Sequence, residues 1–415
     1  MTLVSHRHEN RALNVMRTVA AVVVCIGHVR GNLLVPLDET GGGAITQIVY
    51  LGTTFGHSAV IVFFVLSGYL VGGSVLSRSE FSWAPYLSAR LTRLWLVLIP
   101  AVAITLVADQ VGQMLWPDSL HYGPGSHAAE RASLAHIVGN IFFLQSNTVE
   151  ALGSNGPFWS LAYEFGYYLV FPMLVLAFRS GSTSVSVRLG YLALAALVLF
   201  VAGPNAVLLF PAWLAGAAVA HVQPRLVPWL SQLRPMTLNI ARVVTLVILL
   251  GAMVLDKLQD GTPEKTPPST FIVAAVTTLL VVLYLRDVQP RRRITRGFTW
   301  SANSYAHSSY SLYAVHAPLM TLLVTMLTVD DGPLTADLVG WSAVLGVTIA
   351  LMAAGWLFAS CTERHTAVVG RWVRLVLSKL NLSKRSERDL PDRPAPKNPI
   401  VIDPEKSAER PAPRR

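Results

Sequence analysis

Residues 14–29, NVMRTVAAVVVCIGHV, are an apolar stretch that carries one arginine, Arg17, and eleven residues later one histidine, His28. With its neighbours the stretch reaches the length of about 20 apolar residues that a membrane-spanning helix needs. A charged side chain at the hydrocarbon centre costs roughly 2.5 to 3.5 kcal/mol, so ionisable residues here are candidate functional residues. Eleven residues are close to three helical turns, which predicts that both side chains share one face, about 16 Å apart along it.

The whole chain has the composition of a polytopic membrane protein. Of its 415 residues, 53% are hydrophobic and 13% are charged, and the mean hydropathy is +0.49, whereas a soluble domain has about 25% charged residues. The pattern predicts an all-α membrane bundle of ten spans. These spans are 13–34, 56–76, 94–116, 158–178, 187–203, 205–221, 240–257, 270–285, 304–327 and 336–360.

Two short segments leave alternatives open. The fifth and sixth spans are divided only by Gly203 and Pro204, which indicates either a tight hairpin or one broken helix. Residues 134–145 are too short to cross a membrane and are expected to be interfacial or re-entrant. The first span follows a basic start, as in a signal peptide, but Arg17 interrupts it and no A-x-A-like site follows Val29, so we expect it to be retained.

Basic residues between the spans predict the orientation. Alternate loops up to the last span carry fourteen Lys and Arg on one side and four on the other. Because short cytoplasmic loops carry the excess, both termini are predicted to be cytoplasmic, in a multi-pass protein of the cell membrane. The net charge of +10 therefore reports orientation in the bilayer, and no nucleic-acid partner is expected. The two cysteines, Cys25 and Cys361, provide neither a disulfide framework nor a thiolate metal site.

The end of the chain differs from the membrane domain, which is expected to cover residues 1–365. Residues 366–382 mix apolar and basic residues at helical spacing, which predicts an amphipathic helix on the cytoplasmic membrane surface. Residues 383–415 are rich in proline and charged residues and are expected to be disordered.

Several ionisable residues are candidates for chemistry. Arg90 and Arg93, spaced i and i+3 at the predicted cytoplasmic mouth of the third span, present two guanidinium groups suited to phosphate oxygens or serve as positive-inside flanking residues. Glu164, six residues into the fourth span, is either an ion-pair partner or a carboxylate that stabilises a charged histidine.

Histidines and aromatic residues complete the candidate site. His28 suits general base catalysis because the ordinary pKa of imidazole is near neutrality, although it also fits a packed histidine bonded to a carbonyl group. His316 is either packed or part of the acceptor site, and Trp159 and Tyr163 are further candidates for contact with the acceptor.

Five blocks resemble the acyltransferase-3 family of membrane-bound O-acyltransferases, and the resemblance covers most of residues 11–360. ALNVMRTVAAVVVCIGHV resembles its opening segment, VIVFFVLSGYLV its FFVLSGFL block, and SARLTRLW carries its R-x-x-R. FWSLAYEFGYYLVFP resembles its WSLxxE block, and SYSLYAVHAPL its SYxLYLxH block. Each block alone is a weak pattern, but five in the same order on ten predicted spans are specific.

The resemblance implies transfer of an acyl group, often acetyl, from cytoplasmic acyl-CoA to a hydroxyl of a carbohydrate or another acceptor, including a lipid-linked glycan. It implies His28 as the catalytic histidine, helped by Arg17, and Arg90 and Arg93 at the CoA end. Acyl-CoA is then a co-substrate, and no permanently bound cofactor is expected. Glu164 matches the first residue of a block that often reads Glu-Glu, but Phe165 occupies the second position, so only one carboxylate is available. Some relatives carry a periplasmic SGNH-hydrolase-type domain, and we expect none here, because the predicted spans and tail leave no room for one.

Two other functions compete with this interpretation. A secondary transporter would use Arg17, His28 and Glu164 as a proton or substrate pathway, but no paired halves with interrupted helices are evident. A glycerolipid acyltransferase would place Asp five residues after its histidine. That position is Leu33 after His28 and Thr321 after His316, which disfavours phospholipid synthesis.

Overall fold

The computed structural model describes residues 11–78, 80–179, 184–259, 268–287, 308–330 and 332–379. Within these ranges the protein is built of helices, without strands. The helices are α1 Arg11–Leu33, α2 Ala44–Gly52, α3 Gly56–Ser67, α4 Gly73–Leu76, α5 Trp83–Leu115, α6 His127–Glu130, α7 Leu134–Ile141, α8 Trp159–Phe178, α9 Val185–Ala202, α10 Pro204–Gln232, α11 Pro235–Gln259, α12 Pro268–Leu283, α13 Ser309–Thr328, α14 Leu338–Cys361 and α15 Thr366–Lys379.

The predicted all-α membrane architecture is confirmed. In the described part of the chain, nine helical stretches are long and apolar enough to cross a membrane, and one of them, Ala44–Leu76, comprises α2 to α4. Helix α12, with 16 residues, is a shorter apolar helix. Together they match the ten predicted spans in order. The positions of the termini relative to the membrane stay a prediction.

Two helices extend beyond the predicted spans. Helix α5 begins at Trp83, so Arg90 and Arg93 lie inside the helix, and their place at the cytoplasmic mouth of the third span stays a prediction. Helix α10 continues to Gln232, well beyond the predicted end of the sixth span. Both differences have one cause, since a count of apolar residues stops where polar residues begin, whereas a helix continues wherever its backbone hydrogen bonds do.

The open question at Gly203 is resolved in favour of two helices. Gly203 ends α9 with φ 93°, a conformation that L side chains rarely adopt, and α10 begins at the next residue. Residues 134–145 contain the eight-residue helix α7 followed by a loop, which agrees with a segment too short to cross a membrane.

Helices α3, α8 and α13 bury the largest share of their residues, whereas only Ala195 of α9 is buried. Helix α1 packs against α3, α13 and α14, and α5 packs against α13. The core therefore lies where α1, α3, α5, α8 and α13 meet, and this junction positions the candidate site.

Small residues allow α3 and α10 to touch backbone to backbone. A Cβ on Gly216 would lie 1.9 Å from the carbonyl oxygen of Val65, and one on Gly68 would lie 1.8 Å from that of Trp213. Gly68 begins a π-helical turn, Gly68–Gly72, that separates α3 from α4. Both glycines therefore have a packing role, and the π turn follows Ser67 at the core junction.

Two prolines inside helices leave carbonyl groups without their helical donor, because proline lacks an N–H group. Pro172 in α8 frees the carbonyl of Tyr168, which accepts a hydrogen bond from the hydroxyl of Tyr86 at 2.8 Å. Pro318 in α13 frees the carbonyl of Ala314, which accepts one from Nδ2 of Asn155 at 2.9 Å. Side chains from other elements thus stabilise both interrupted helices beside the candidate site.

The chain packs as two units, Met1–Gly370 and Arg371–Arg415. The described residues of the second unit, 371–379, are helical. Helix α15 corresponds to the predicted amphipathic helix 366–382, whose place on a membrane surface stays a prediction. The predicted disordered tail, 383–415, lies outside the described residues.

Candidate functional site

A cavity lies at the junction of the core helices. Helix α1 contributes Arg17 and α5 contributes Arg93, while α8 contributes Glu164. Helix α8 also contributes Tyr168, and the other walls come from α3, the π turn and α13, with Ser67, Ser309, Tyr310 and Tyr313 among their residues. The structure therefore brings together three residues that lie in three separate sequence blocks.

The two arginines of the cavity have no direct partner. Among the described residues, neither Arg17 nor Arg93 makes a hydrogen bond or an ion pair. They interact electrostatically with each other and with the carboxylates of Glu164 and Glu363. Each guanidinium group has five N–H donors, none of them bonded within the described part of the chain, and a cavity between helices with such cations is suited to bind an anion.

The carboxylate of Glu164 is already held. Its Oε1 accepts a hydrogen bond from the hydroxyl of Ser67 at 2.7 Å and another, short one from the hydroxyl of Tyr168. The indole N–H of Trp213 donates to the Ser67 oxygen at 3.3 Å. Glu164 therefore stands at the centre of a fixed polar network on one wall, and its charge partly offsets the two arginines.

Arg90 has different surroundings from Arg93, although the sequence predicts two adjacent phosphate-binding groups. Its Nη2 donates to the hydroxyl of Ser74 at 2.6 Å. Its guanidinium carbon lies 5.5 Å from the ring centroid of Tyr86 and 5.8 Å from that of Tyr168. Arg90 is thus fixed behind the wall of the cavity, while Arg93 lines the cavity itself.

Glu363 is a site residue that the sequence analysis missed. Its Oε1 accepts hydrogen bonds from the backbone N–H and the hydroxyl of Ser311, both at 2.7 Å, and so satisfies the first turn of α13. Glu363 also attracts Arg17 and Arg93. An acidic residue three positions after the last predicted span was the signal that could have identified it.

His28 and His316 form a direct pair. Nδ1 of His28 lies 2.9 Å from Nε2 of His316, and Nδ1 of His316 lies 2.7 Å from the carbonyl oxygen of Tyr313. His316 is 1% exposed, while His28 is half-buried. Both Arg17 and His28 therefore face α13, which confirms the shared helical face.

The histidine pair lies beside the cavity and not in its lining. Tyr313 is the link, because its side chain lines the cavity and its ring centroid lies 5.6 Å from that of His316. The hydroxyl of Tyr313 is held by Ser160 at 2.7 Å and donates to the carbonyl of Pro157 at 3.0 Å. The arginine and histidine regions are thus adjacent and are separated by one anchored side chain.

Trp159 and Tyr163, the other candidate acceptor contacts, pack on each other with ring centroids 5.1 Å apart. Neither lines the cavity, and Trp159 also packs against Phe64 at 6.3 Å. Their predicted role stays a prediction. Cys25 is buried and Cys361 exposed, and both are free thiols. No group of three or more possible metal ligands occurs in the described ranges.

Membrane-length helices around a polar cavity define the class, a polytopic membrane protein with ionisable residues inside its bundle. The chain belongs to the acyltransferase-3 family, since the family model described as an acyltransferase domain matches residues 10–360. The resemblance inferred from the five blocks is therefore confirmed.

Two curated relatives are similar to parts of the chain. The peptidoglycan O-acetyltransferase OatA of Listeria monocytogenes is 25% identical over 321 residues, which cover 70% of this chain and 48% of OatA. The O-acetyl transferase of Shigella phage Sf6 is 25% identical over 214 residues, which cover 50% of this chain and 58% of the phage protein. The chain thus spans about half the length of the curated relatives it matches. No solved structure matches it.

Proposed function

We propose that this protein is a membrane O-acyltransferase that moves an acyl group, in the first instance acetyl, from acyl-CoA to a hydroxyl of a glycan. The observation that carries the proposal is the cavity with two arginines, Arg17 and Arg93, that have no ion-pair partner among the described residues, beside the half-buried His28. Membership of the family and the names of both relatives support the same reaction.

The donor side of the reaction is assigned to the arginines. Coenzyme A carries phosphate groups, and guanidinium groups bind phosphate through paired, charge-assisted hydrogen bonds. Arg17 and Arg93 donate to no acceptor in the described ranges, whereas Arg90 already donates to Ser74. We therefore assign phosphate binding to Arg17 and Arg93 and a supporting role to Arg90, which holds Tyr168 and the wall around Glu164.

The chemistry is assigned to His28. About 16 Å of helix separates it from Arg17, a span that the extended pantetheine arm would bridge. His28 takes the proton of the acceptor hydroxyl, whose oxygen attacks the thioester carbonyl. The carbon–sulfur bond breaks, and the CoA thiolate takes the proton from His28. An ester and free CoA result. A variant of this route has His28 carry the acyl group before the acceptor arrives.

The acceptor is assigned by the chemistry of the relatives. Both carry names of O-acetyl transferases, and one acts on peptidoglycan. A glycan hydroxyl of the cell envelope, free or lipid-linked, is the matching acceptor class. In the predicted orientation, with the amino terminus inside, Arg17 faces the cytoplasmic donor and His28 lies nearer the outer leaflet of the cell membrane.

Transfer of label tests the proposal. Membrane vesicles that contain the protein and the envelope glycan of its host are supplied with radiolabelled acetyl-CoA, and base-labile label in the glycan is measured. We expect incorporation with the wild type and none with His28→Ala. Equal incorporation by both proteins would overturn the assignment of His28.

The transporter alternative gives a different result in the same vesicles. A transporter that used Arg17, His28 and Glu164 as a pathway would accumulate a solute without forming an ester. Purified protein in nanodiscs would then fail to bind acetyl-CoA. Acetyl-CoA binding that depends on Arg93 supports the transferase.

A further inference from the structure

The two histidine rings meet edge to edge. Their planes differ by 11° and their centroids are 5.2 Å apart, while Nδ1 of His28 and Nε2 of His316 are 2.9 Å apart. The centroid distance is longer than the N–N distance by about the sum of the two ring radii. The two nitrogens therefore lie nearly on the line that joins the two ring centroids. N–H groups and lone pairs of imidazole lie in the ring plane, so this arrangement is a well-aligned hydrogen bond.

The carbonyl of Tyr313 decides which nitrogen carries each proton. A carbonyl oxygen only accepts, so Nδ1 of His316, 2.7 Å away, must be the donor. In the neutral imidazole, Nε2 of His316 then has a lone pair and accepts. The donor to it is Nδ1–H of His28, which leaves the lone pair of His28 on Nε2.

The opposite arrangement is unfavourable. If Nε2 of His316 carried the proton, its Nδ1 lone pair would face the Tyr313 oxygen at 2.7 Å. Protonation of both nitrogens would instead place a charged imidazolium at a position that is 1% exposed, where burial of an unpaired charge is strongly disfavoured.

We propose that His316 is a positioning residue that holds His28 as its Nδ1–H tautomer and thereby directs the Nε2 lone pair to the substrate. The inference rests on the proposed function. Among the described residues, Nε2 of His28 has no hydrogen bond, and it is not enclosed by the protein. Either role of His28, as base or as acyl carrier, requires a lone pair on that nitrogen.

The pair also stabilises the positive charge that His28 gains during the reaction. When Nε2 of His28 takes the hydroxyl proton, the ring becomes an imidazolium whose Nδ1–H still donates to His316. That bond becomes charge-assisted and therefore stronger, although its acceptor is neutral. Because the acceptor is a neutral imidazole, no additional carboxylate has to be buried between membrane helices, where burying a charge is costly.

The surroundings of His316 keep its ring in place. Pro318, two residues later, interrupts the helical hydrogen bonds of α13, and Asn155 takes up the free carbonyl of Ala314. Nδ2 of Asn155 also donates to the hydroxyl of Thr105 at 3.0 Å. The loop before α8 thus fixes the part of α13 that carries His316.

The tautomer is measured directly by nitrogen-15 NMR of histidine-labelled protein in nanodiscs, with the His28 signals assigned by their loss in His28→Ala. We expect the Nδ1–H tautomer in the wild type and a mixture of tautomers in His316→Leu. An Nε2–H tautomer of His28 in the wild type would overturn the inference, even if acyl transfer depends on His28.

Two variants of His316 separate positioning from packing. His316→Gln keeps an acceptor for His28 and a donor for the Tyr313 carbonyl, whereas His316→Leu keeps only the volume. We expect kcat to fall about 100-fold in the leucine variant, with the KM for acetyl-CoA unchanged, and to recover most of that loss in the glutamine variant. Equal kcat in both variants would contradict the proposal. Absence of acyl transfer by the wild type, with the Nδ1–H tautomer present, would instead overturn the proposed function.

Discussion

The two ends of α1 are surrounded in opposite ways. Arg17 lies in a cavity where its guanidinium group has no hydrogen bond to any residue that the structure describes, whereas His28 is fixed through His316 to a backbone carbonyl. An unpaired cation is costly inside a membrane protein and is explained by a ligand that supplies the missing partner. A histidine whose proton position is set by its neighbours is ready for proton transfer before any ligand arrives. One helix thus carries a region that binds and a region that reacts.

His28→Ala breaks the reacting region and has the largest expected effect. Loss of a general base lowers kcat by about 10²- to 10⁴-fold, while the affinity for acetyl-CoA stays at the wild-type value because the arginines are intact. Labelled transfer in vesicles and equilibrium binding in nanodiscs measure the two quantities. Weaker acetyl-CoA binding by this variant would show that the two regions are not separate.

Arg93→Ala removes one of the two guanidinium groups of the binding region. A hydrogen bond to a charged group contributes about 1.5–3 kcal/mol, so the Kd for acetyl-CoA should rise roughly 10- to 150-fold. Arg17→Ala should act in the same direction, and Arg93→Lys should retain part of the affinity because lysine keeps the charge without the planar fork. Arg179→Ala is the control, since Arg179 is exposed and donates to the carbonyl of Arg78. Equal Kd values for Arg93→Ala and this control would refute the assignment.

Asn155→Ala tests whether Asn155 stabilises the part of α13 that carries His316. It leaves the carbonyl of Ala314 and the hydroxyl of Thr105 without their donor, which should lower the free energy of unfolding by about 1–3 kcal/mol. Asn147→Ala in the same loop is the matched control, because Asn147 is exposed and its hydrogen bond to the Phe200 carbonyl is 3.3 Å long. Thermal unfolding in detergent gives the comparison, and equal midpoints for both variants would argue against a structural role of Asn155.

Glu164→Gln changes the charge of the binding region and has the smallest expected effect. Glutamine keeps an oxygen that accepts from Ser67 and Tyr168, but it removes the negative charge that attracts both arginines. The cavity becomes more positive, and the Kd for acetyl-CoA should fall about fivefold, or roughly 1 kcal/mol. An increase in Kd would show that Glu164 takes part in binding the donor.

The sequence contained enough to predict the bundle and part of the site. Ten apolar segments predicted the spans in order, and the eleven-residue spacing placed Arg17 and His28 on the face that meets α13. Both inferences depend on local periodicity, which a sequence shows directly.

The meeting of distant residues was not predictable in the same way. Arg17 lies in the same cavity as Arg93, whereas Arg90 lies behind the cavity wall. This arrangement depends on how α1, α5 and α8 cross. A helix that is apolar on all sides has no separate apolar face, so its sequence does not indicate which side packs against another helix. Glu363 was missed for a related reason, because its contact with Ser311 joins α13 to the segment after α14.

A structure with a non-transferable thioether analogue of acetyl-CoA, determined by electron cryomicroscopy in nanodiscs, tests the separation of the two regions most directly. We predict the phosphates of the analogue at Arg17 and Arg93 and its acyl end beside Nε2 of His28, with the His28–His316 hydrogen bond intact. Phosphates bound away from both arginines, or an acyl end remote from His28, would contradict it.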